Sequence, residues 1–382
     1  MMGIMMAIKE LWNALQFICS VEFWRMSVFW TLSLLVSYCR LLLAPKSQSY
    51  PRCPPATLIN NKPVCIITAF GCRLHLGWVR PLLMLFQRKV SALFWRVAEF
   101  ILSAVGRSSD LLLKTVLEIT SSNKDAQLKA FRVDISSFQS ILNFKRSLQQ
   151  WLSDTKMHSS VQLLINNAGI LGTSYRLTAE GYDQMMATNY IGAFCLAKLL
   201  LPLLTNSPVP SRIVNVTSFT HRSVFNMQVD KETVTGKCFL RPKQYPCARI
   251  YENSKLCLLL FSYELHRQLG LMEKPHQVSV IAADPGVVQT NIMREVPPCL
   301  SHVAFMVLKL LGLLQSPEKG ISSIIDAALA PPDKSGVYFF GGKGRTLNSS
   351  VLSHNTKLAQ ELWTTSCDLF LQSQLVVEPI ST

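Results

Sequence analysis

Apolar positions recur at helical spacing in the first segment of the chain, where Ile4, Ile8, Leu11, Leu15 and Ile18 form one face. A mainly apolar run follows from Met26 to Ala44, bounded by Arg25 and interrupted by Arg40. As a helix this run reaches roughly 28 Å, about one bilayer core, with Arg40 near enough to its end to snorkel. Ser27, Thr31, Ser33 and Ser37 dilute its hydrophobicity and keep two alternatives open, an interfacial helix or a targeting segment. The stretch ahead of the run is long for a secretory signal, and Glu10 and Glu22 are foreign to transit peptides. The expectation is a membrane anchor and linker over residues 1–62, the linker marked by Pro45, Pro51, Pro54 and Pro55.

Past Lys62 the pattern changes to short apolar runs alternating with amphipathic stretches. Residues 63–68 read as a first strand, the usual opening of a doubly wound sheet. Further strands are predicted at 100–107, 130–136, 161–165, 212–218, 277–283 and 336–340. Helices are predicted at 109–119, 138–151 and about 179–204, and another carries the sequence Tyr251-Glu252-Asn253-Ser254-Lys255 into an apolar run. The apolar segment 303–314 suits either a lid over a substrate mouth or a membrane-facing patch. Residues 346–382 read as a polar C-terminal tail.

Apolar residues make up 49% of the 382, ample for a large core and incompatible with disorder. Lys and Arg number 38 against 23 acids, a net charge of +15, which favours an anionic partner: a membrane, a phosphorylated cofactor or nucleic acid. No helix-turn-helix, zinc-finger or aromatic–basic pattern supports nucleic acid. The 11 cysteines are scattered without a C-x-x-C, as free thiols of a reducing compartment are, and neither they nor the 7 histidines show metal-ligand spacing. Arg40, Lys46, Arg52 and Lys62 follow the apolar run without an acid, so the positive-inside rule places the body of the protein on the cytosolic side of its membrane.

The chemistry centres on Tyr251 and Lys255, one helical turn apart. An ammonium that close to a phenol favours the phenolate, lowering a pKa that starts near about 10. The spacing alone also fits an ordinary solvated helix face. Its company narrows the choice: Asn166-Asn167-Ala168-Gly169, then Asn189-Tyr190-Ile191-Gly192, then Ser218 closing an apolar strand. Those pieces in that order resemble the short-chain dehydrogenase/reductase family, and the long connection from Ser218 to Tyr251 resembles its retinol-dehydrogenase-like branch.

The resemblance implies an α/β fold: a single domain over residues 63–345 with a doubly wound, mainly parallel, Rossmann-like sheet and its site at the strands' carboxyl ends. It implies reversible hydride transfer between NADP(H) and a carbonyl/alcohol pair, on a lipophilic substrate if the enzyme is membrane-bound. Tyr251 then donates or accepts the proton, Lys255 lowers its pKa and binds the nicotinamide ribose, and Ser218 polarises the substrate oxygen. Asn189 completes a proton relay. The turn Asn166, Asn167, Ala168, Gly169 braces the sheet beside the cofactor. Pro285, Gly286, Val288 and Thr290 cover the nicotinamide, and Asp134 contacts the adenine, although an acid at a strand end is also a common helix cap. Arg107, where an acid would hold a ribose hydroxyl, favours the 2′-phosphate of NADP over NAD; on its own it also reads as a surface charge.

One stretch departs from the family pattern. A glycine-rich turn belongs after the first strand, but Ala69-Phe70-Gly71-Cys72-Arg73-Leu74-His75-Leu76-Gly77 keeps two glycines at the wrong spacing. Residues 69–99 are basic and apolar, as an altered exon boundary or local frameshift would make them. Two function classes follow: a working oxidoreductase, or a catalytically silent form with impaired cofactor binding.

Overall fold

The computed structural model describes residues 2–43, 49–53, 63–68, 101–106, 109–122, 127–156, 158–240, 244–272 and 277–377. The altered stretch 69–99, Arg107, and the linker prolines Pro45, Pro54 and Pro55 lie outside the described residues.

Seven parallel strands form the central sheet: β1 (Val64–Thr68), β2 (Ile101–Gly106), β3 (Gln127–Arg132), β4 (Leu163–Asn166), β5 (Ser211–Val216), β6 (Val278–Asp284) and β9 (Val337–Phe340). Their order is β3-β2-β1-β4-β5-β6-β9, a doubly wound sheet as expected. A two-residue ladder, β7 (Val287–Val288) with β8 (Leu314–Gln315), sits beyond the end of β6. The central strands β1, β4, β5 and β6 are buried throughout, as near-continuous apolar runs covered on both faces must be. Val64, Ile66, Leu164 and Ile213 pack beneath the helices Phe138–Asp154, Gln184–Thr205 and Cys247–Gly270. Cys65, Ile67, Ile165 and Val214 point the other way, onto Pro317–Ala328. Parallel pairing puts the carboxyl ends of β1, β4, β5 and β6 at one rim, the place where an open α/β sheet takes its ligand.

Two terminal regions differ from the simplest reading of the sequence. Residues beyond Gly344 contain a helix, Thr356–Val377, that packs along the helix carrying Tyr251. Trp363 stacks on Phe261 with ring centroids 6.2 Å apart, and Tyr190 Oη meets Ser366 Oγ at 2.6 Å. Scattered apolar positions (Leu358, Leu362, Leu369) supply this contact, and the polar residues between them disguised it.

At the other end, Met2–Ile18 is helical and is followed by the helix Val21–Leu43, which is long and apolar enough to cross a membrane. It lies against the domain. Leu34, Ser37 and Leu41 are buried, while Trp24, Val28, Leu32 and Leu43 are exposed on its outer side. Two of the four hydroxyls that diluted its hydrophobicity are buried against the domain: Ser33 Oγ meets Ser223 Oγ at 2.9 Å, and Ser37 Oγ accepts from Arg222 Nε at 3.0 Å. The strand of chain that follows is tied down as well, with Tyr50 N donating to Gly344 O at 2.9 Å and Arg52 paired to Asp326 at 2.6 Å.

Candidate active site

Ser218 sits just past the end of β5, where the chain leaves the sheet in extended conformation and turns into the short 3-10 helix Phe219–Ser223. Its Oγ accepts from Thr220 N at 3.4 Å and is hydrogen-bonded to the Tyr251 phenol. His221 anchors the turn from behind. It is fully buried, and burial together with the nearby Arg222 charge pushes its pKa down to about 3. A neutral ring must therefore donate from Nδ1 to Ser218 O (2.6 Å) and accept Ser350 N–H at Nε2 (3.2 Å), which fixes its tautomer.

Tyr251 and Lys255 project from the second and third turns of the helix Cys247–Gly270, both buried. Lys255 Nζ donates to Val216 O at 2.9 Å and lies 5.8 Å from the centre of the Tyr251 ring. Thr217 Oγ1 donates to Lys255 O at 3.0 Å, so β5 and the helix are stitched together at the pair. Burial lowers the Lys255 pKa to about 8, with the Asp284 carboxylate working against that fall. Burial and Asp284 both raise the Tyr251 pKa, opposed by the Ser218 hydrogen bond. The expected depression of the phenol by Lys255 is not seen in this geometry: desolvation dominates, and the hydroxyl is protonated at neutral pH.

Asp284, at the end of β6, is the nearby acid. Tyr338 Oη donates to its Oδ2 at 2.6 Å and Gly286 N to its Oδ1 at 2.7 Å, yet burial still raises its pKa to about 6. The turn it opens requires glycine. Gly286 has φ +71°, and a Cβ there would stand 3.1 Å from Gln315 Nε2 and 3.3 Å from Tyr38 Oη. Val287 and Val288 pair with Leu314 and Gln315, and Thr290 caps the short helix Asn291–Met293.

The loop after β4 completes the rim. Thr68 Oγ1 accepts from Asn167 N and Ala168 N at 2.9 Å each, and Asn167 Nδ2 donates to Thr68 O at 3.0 Å. Asn166 Nδ2 donates to Asn215 Oδ1 at 2.8 Å, joining β4 to β5 within the sheet. Gly169 passes close to Lys255: a Cβ there would lie 3.4 Å from Lys255 Nζ and 3.6 Å from Asn189 Oδ1. Asn189 occupies a π turn (Ala187–Ile191) of the helix Gln184–Thr205. Its amide is bound on both sides by Ile170, N–H to Oδ1 at 2.8 Å and Nδ2 to carbonyl at 2.9 Å, and Nδ2 also donates to Ser254 Oγ at 3.0 Å. These bonds brace the β4 loop against the catalytic helix.

One cavity of about 480 Å³ gathers most of the residues singled out in the sequence. Asn167, Gly169, Ser218, Tyr251, Lys255, Pro285, Gly286, Val288 and Thr290 all line it. Asn166, Ala168 and Asn189 stand behind it as supports. Asp134 lies away from it, beyond β3, where its Oδ1 accepts from Ser136 N (3.0 Å) and Ser136 Oγ (2.7 Å). The segment 303–314 is largely the helix Pro298–Leu310, which contributes Val303, Val307 and Leu308 to the wall.

The opposite wall was not anticipated. Met26, Trp30 and Leu34 of the N-terminal helix line the cavity, with the Trp30 ring centroid 5.4 Å from that of Tyr251. Glu252 is fully buried and receives Arg25 and Trp30. A signal existed in the two charges, Glu22 and Arg25, set in an otherwise apolar stretch; His221 and Asp284 gave none beyond their neighbourhood of Ser218 and Pro285.

A family model described as short chain dehydrogenase matches residues 95–229. The human polyprenol dehydrogenase is 31% identical over 271 residues, covering 69% of this chain and 76% of that protein. Mouse retinol dehydrogenase 12 is 31% identical over 255 residues, covering 66% of this chain and 72% of its own. Among solved structures, a short-chain type dehydrogenase/reductase from Mycobacterium marinum superposes with a TM-score of 0.52 at 16% identity, over 74% of this chain and 96% of that one, a likeness of fold. Sheet order, the Ser218–Tyr251–Lys255 cluster and these relatives lead to one assignment. The chain belongs to the short-chain dehydrogenase/reductase family of NAD(P)-dependent oxidoreductases.

Proposed function

We propose that this protein interconverts a lipophilic carbonyl and its alcohol using NADP(H), with Ser218, Tyr251 and Lys255 as its catalytic residues. The observation that carries the reading is their meeting in one cavity whose remaining wall is largely apolar, with Phe17, Phe23, Met26, Leu300, Val303 and Leu308. A nicotinamide cofactor fits the rim. Gly169 leaves the approach to Lys255 open, and the Asp284–Thr290 turn and Asn167 offer backbone and amide groups around the same space. The nicotinamide supplies or accepts the hydride. Ser218 Oγ–H holds the substrate oxygen, and the Tyr251 hydroxyl delivers the proton to that oxygen on reduction or removes it on oxidation. Lys255, charged below about pH 8, supports the phenol and binds the nicotinamide ribose. Asn189 keeps the β4 loop in register and completes the relay.

Arg107 selects the 2′-phosphate, and Asp134 meets the adenine end at β3. The same reading places the protein at a membrane facing the cytosol. Trp24, Val28, Phe29 and Leu32 on one helix, and Met306 and Leu310 on another, form an exposed apolar surface around the cavity, and the net charge of +15 favours an anionic leaflet. The N-terminal helix then lies along the interface with its outer face in lipid.

Residues 69–77 favour a second reading, a silent form. Arg73 and His75 put side chains where a phosphate-binding turn needs bare backbone. Titrating the purified full chain with NADPH separates the two. Low-micromolar binding upholds the working enzyme. Weak binding that recovers when residues 69–99 are replaced by a glycine-rich turn and helix identifies the silent form.

A further inference from the structure

The N-terminal helix does more than present an apolar face. Glu252, the residue after Tyr251, is a carboxylate with no solvent exposure, and such a charge must be fully paired to be tolerated. Among the described residues, its hydrogen-bond partners all come from the N-terminal helix. Arg25 Nε donates to Oε1 and Oε2 at 2.9 and 2.8 Å, Arg25 Nη2 to Oε2 at 2.5 Å, and Trp30 Nε1 to Oε1 at 2.8 Å. Arg25 also donates to Ser223 O at 3.0 Å, in the turn that begins at Ser218.

Local geometry explains how two residues five apart reach one carboxylate. Residues Arg25–Trp30 form a π turn, whose i→i+5 ladder brings the sixth residue over the first; a regular α-helix would send them to different faces. One turn earlier, Glu22 Oε2 accepts from Ala248 N at 2.7 Å and Arg249 N at 3.4 Å. These are the free N–H groups that open the catalytic helix, whose preceding residue Pro246 makes no side-chain cap. The acid therefore caps, from a distant part of the chain, the helix that carries Tyr251.

We propose that Glu22, Arg25 and Trp30 are positioning residues for Tyr251 and that Trp30 is also a specificity-determining wall of the substrate cavity, so that the N-terminal helix is a working part of the active site. The catalytic part of this inference rests on the carbonyl/alcohol reading above; the docked position of the helix does not. Two measurements keep them apart.

The first reads position alone. Ser33 and Ser223 are replaced by cysteine in the full chain, S33C/S223C, with a protease site inserted between residues 54 and 62. Their hydroxyls lie 2.9 Å apart, within reach of a disulfide. After oxidation in native membranes and cleavage, the two fragments should stay joined until reductant is added. Fragments that separate without reductant, under oxidant that cross-links a surface cysteine-pair control, would overturn the docked helix.

The second reads specificity. Trp30→Ala widens the cavity beside Tyr251, and Trp30→Phe keeps a ring there. A merely structural loss lowers the active fraction equally for every substrate, leaving KM and substrate preference unchanged. The proposal expects the ratio of kcat/KM for a bulky over a slender aliphatic carbonyl to move by about tenfold in Trp30→Ala, the scale of pocket-contact discrimination, and to return towards wild type in Trp30→Phe. An unchanged ratio in Trp30→Ala would remove Trp30 from substrate selection. If the wild-type chain reduces no carbonyl while the cysteine pair cross-links, the functional reading fails and the docked helix stands.

Discussion

Replacing Tyr251 by Phe isolates one oxygen atom. The ring keeps its contact with Trp30, 5.4 Å between centroids, and its place in a site where Tyr251 is 7% exposed. What is lost is the hydrogen bond to Ser218 and the proton itself. Ser218 retains Thr220 N as a partner, so no buried group is orphaned, and the stability change should stay within about 1 kcal/mol. The kinetic loss should be much larger. The phenol, protonated at neutral pH even at its ordinary pKa and more so with burial and Asp284, carries the proton that carbonyl reduction consumes. A positioned general acid contributes about 10² to 10⁴ in rate, or roughly 2.7–5.5 kcal/mol of barrier. Single-turnover reduction at saturating NADPH, with thermal unfolding measured on the same preparation, separates the two effects. A rate within tenfold of wild type would refute the role of Tyr251. A large rate loss accompanied by a large drop in Tm would refute the claim that only the proton was removed.

Three further variants test the surroundings. Asp284→Asn removes a negative charge that raises the pKa of both Lys255 (about 8) and Tyr251, so the alkaline limb of the activity–pH profile should move to lower pH; a limb that stays put, or moves up, contradicts the coupling. Gly192→Ala places a Cβ 2.0 Å from Ile135 O and 2.6 Å from Ile135 Cγ2, forcing backbone apart in the core, and should cost about 1–3 kcal/mol or more in urea unfolding; an unchanged midpoint would mean that the helix and the β3 exit are not in this contact. Val28→Asp with Leu32→Asp puts two charges on the outward face of the N-terminal helix, and should release the chain from anionic vesicles in a flotation assay while leaving the S33C/S223C cross-link intact; continued flotation would dispose of that face as a membrane contact.

Much of the fold was legible because buried parallel strands write themselves as apolar runs. The runs at 63–68, 212–218 and 277–283 match β1, β5 and β6 to within two residues. Edge strand β3 was placed three residues late, at Ala130 rather than Gln127, because only every second residue of an edge strand faces the core. The π turn around Asn189 is invisible to periodicity, since one extra residue in a turn shifts the pattern less than ordinary sequence noise. The meeting of Ser218, Tyr251 and Lys255 in one cavity was readable because the chemistry that the family resemblance implies needs particular residues at particular spacings.

Its supports were less so. Asp284, His221 and Glu252 act through tertiary partners (Tyr338, Ser350, Arg25 and Trp30) that no local window contains. The apolar run of the N-terminal helix was legible as a candidate span, but hydropathy cannot tell which of its faces meets lipid and which meets protein. The inward direction of Ser33 and Ser37 is what distinguishes them.

The most direct test follows the hydride itself. The purified full chain is incubated with NADPH deuterated at the transferable C4 position and a long-chain lipophilic aldehyde or ketone, and the alcohol is analysed by mass spectrometry. One deuterium should appear on the former carbonyl carbon, with the signal falling at least about a hundredfold in Tyr251→Phe. Alcohol formed without deuterium, or label transfer undiminished in Tyr251→Phe, would contradict the assignment of this site.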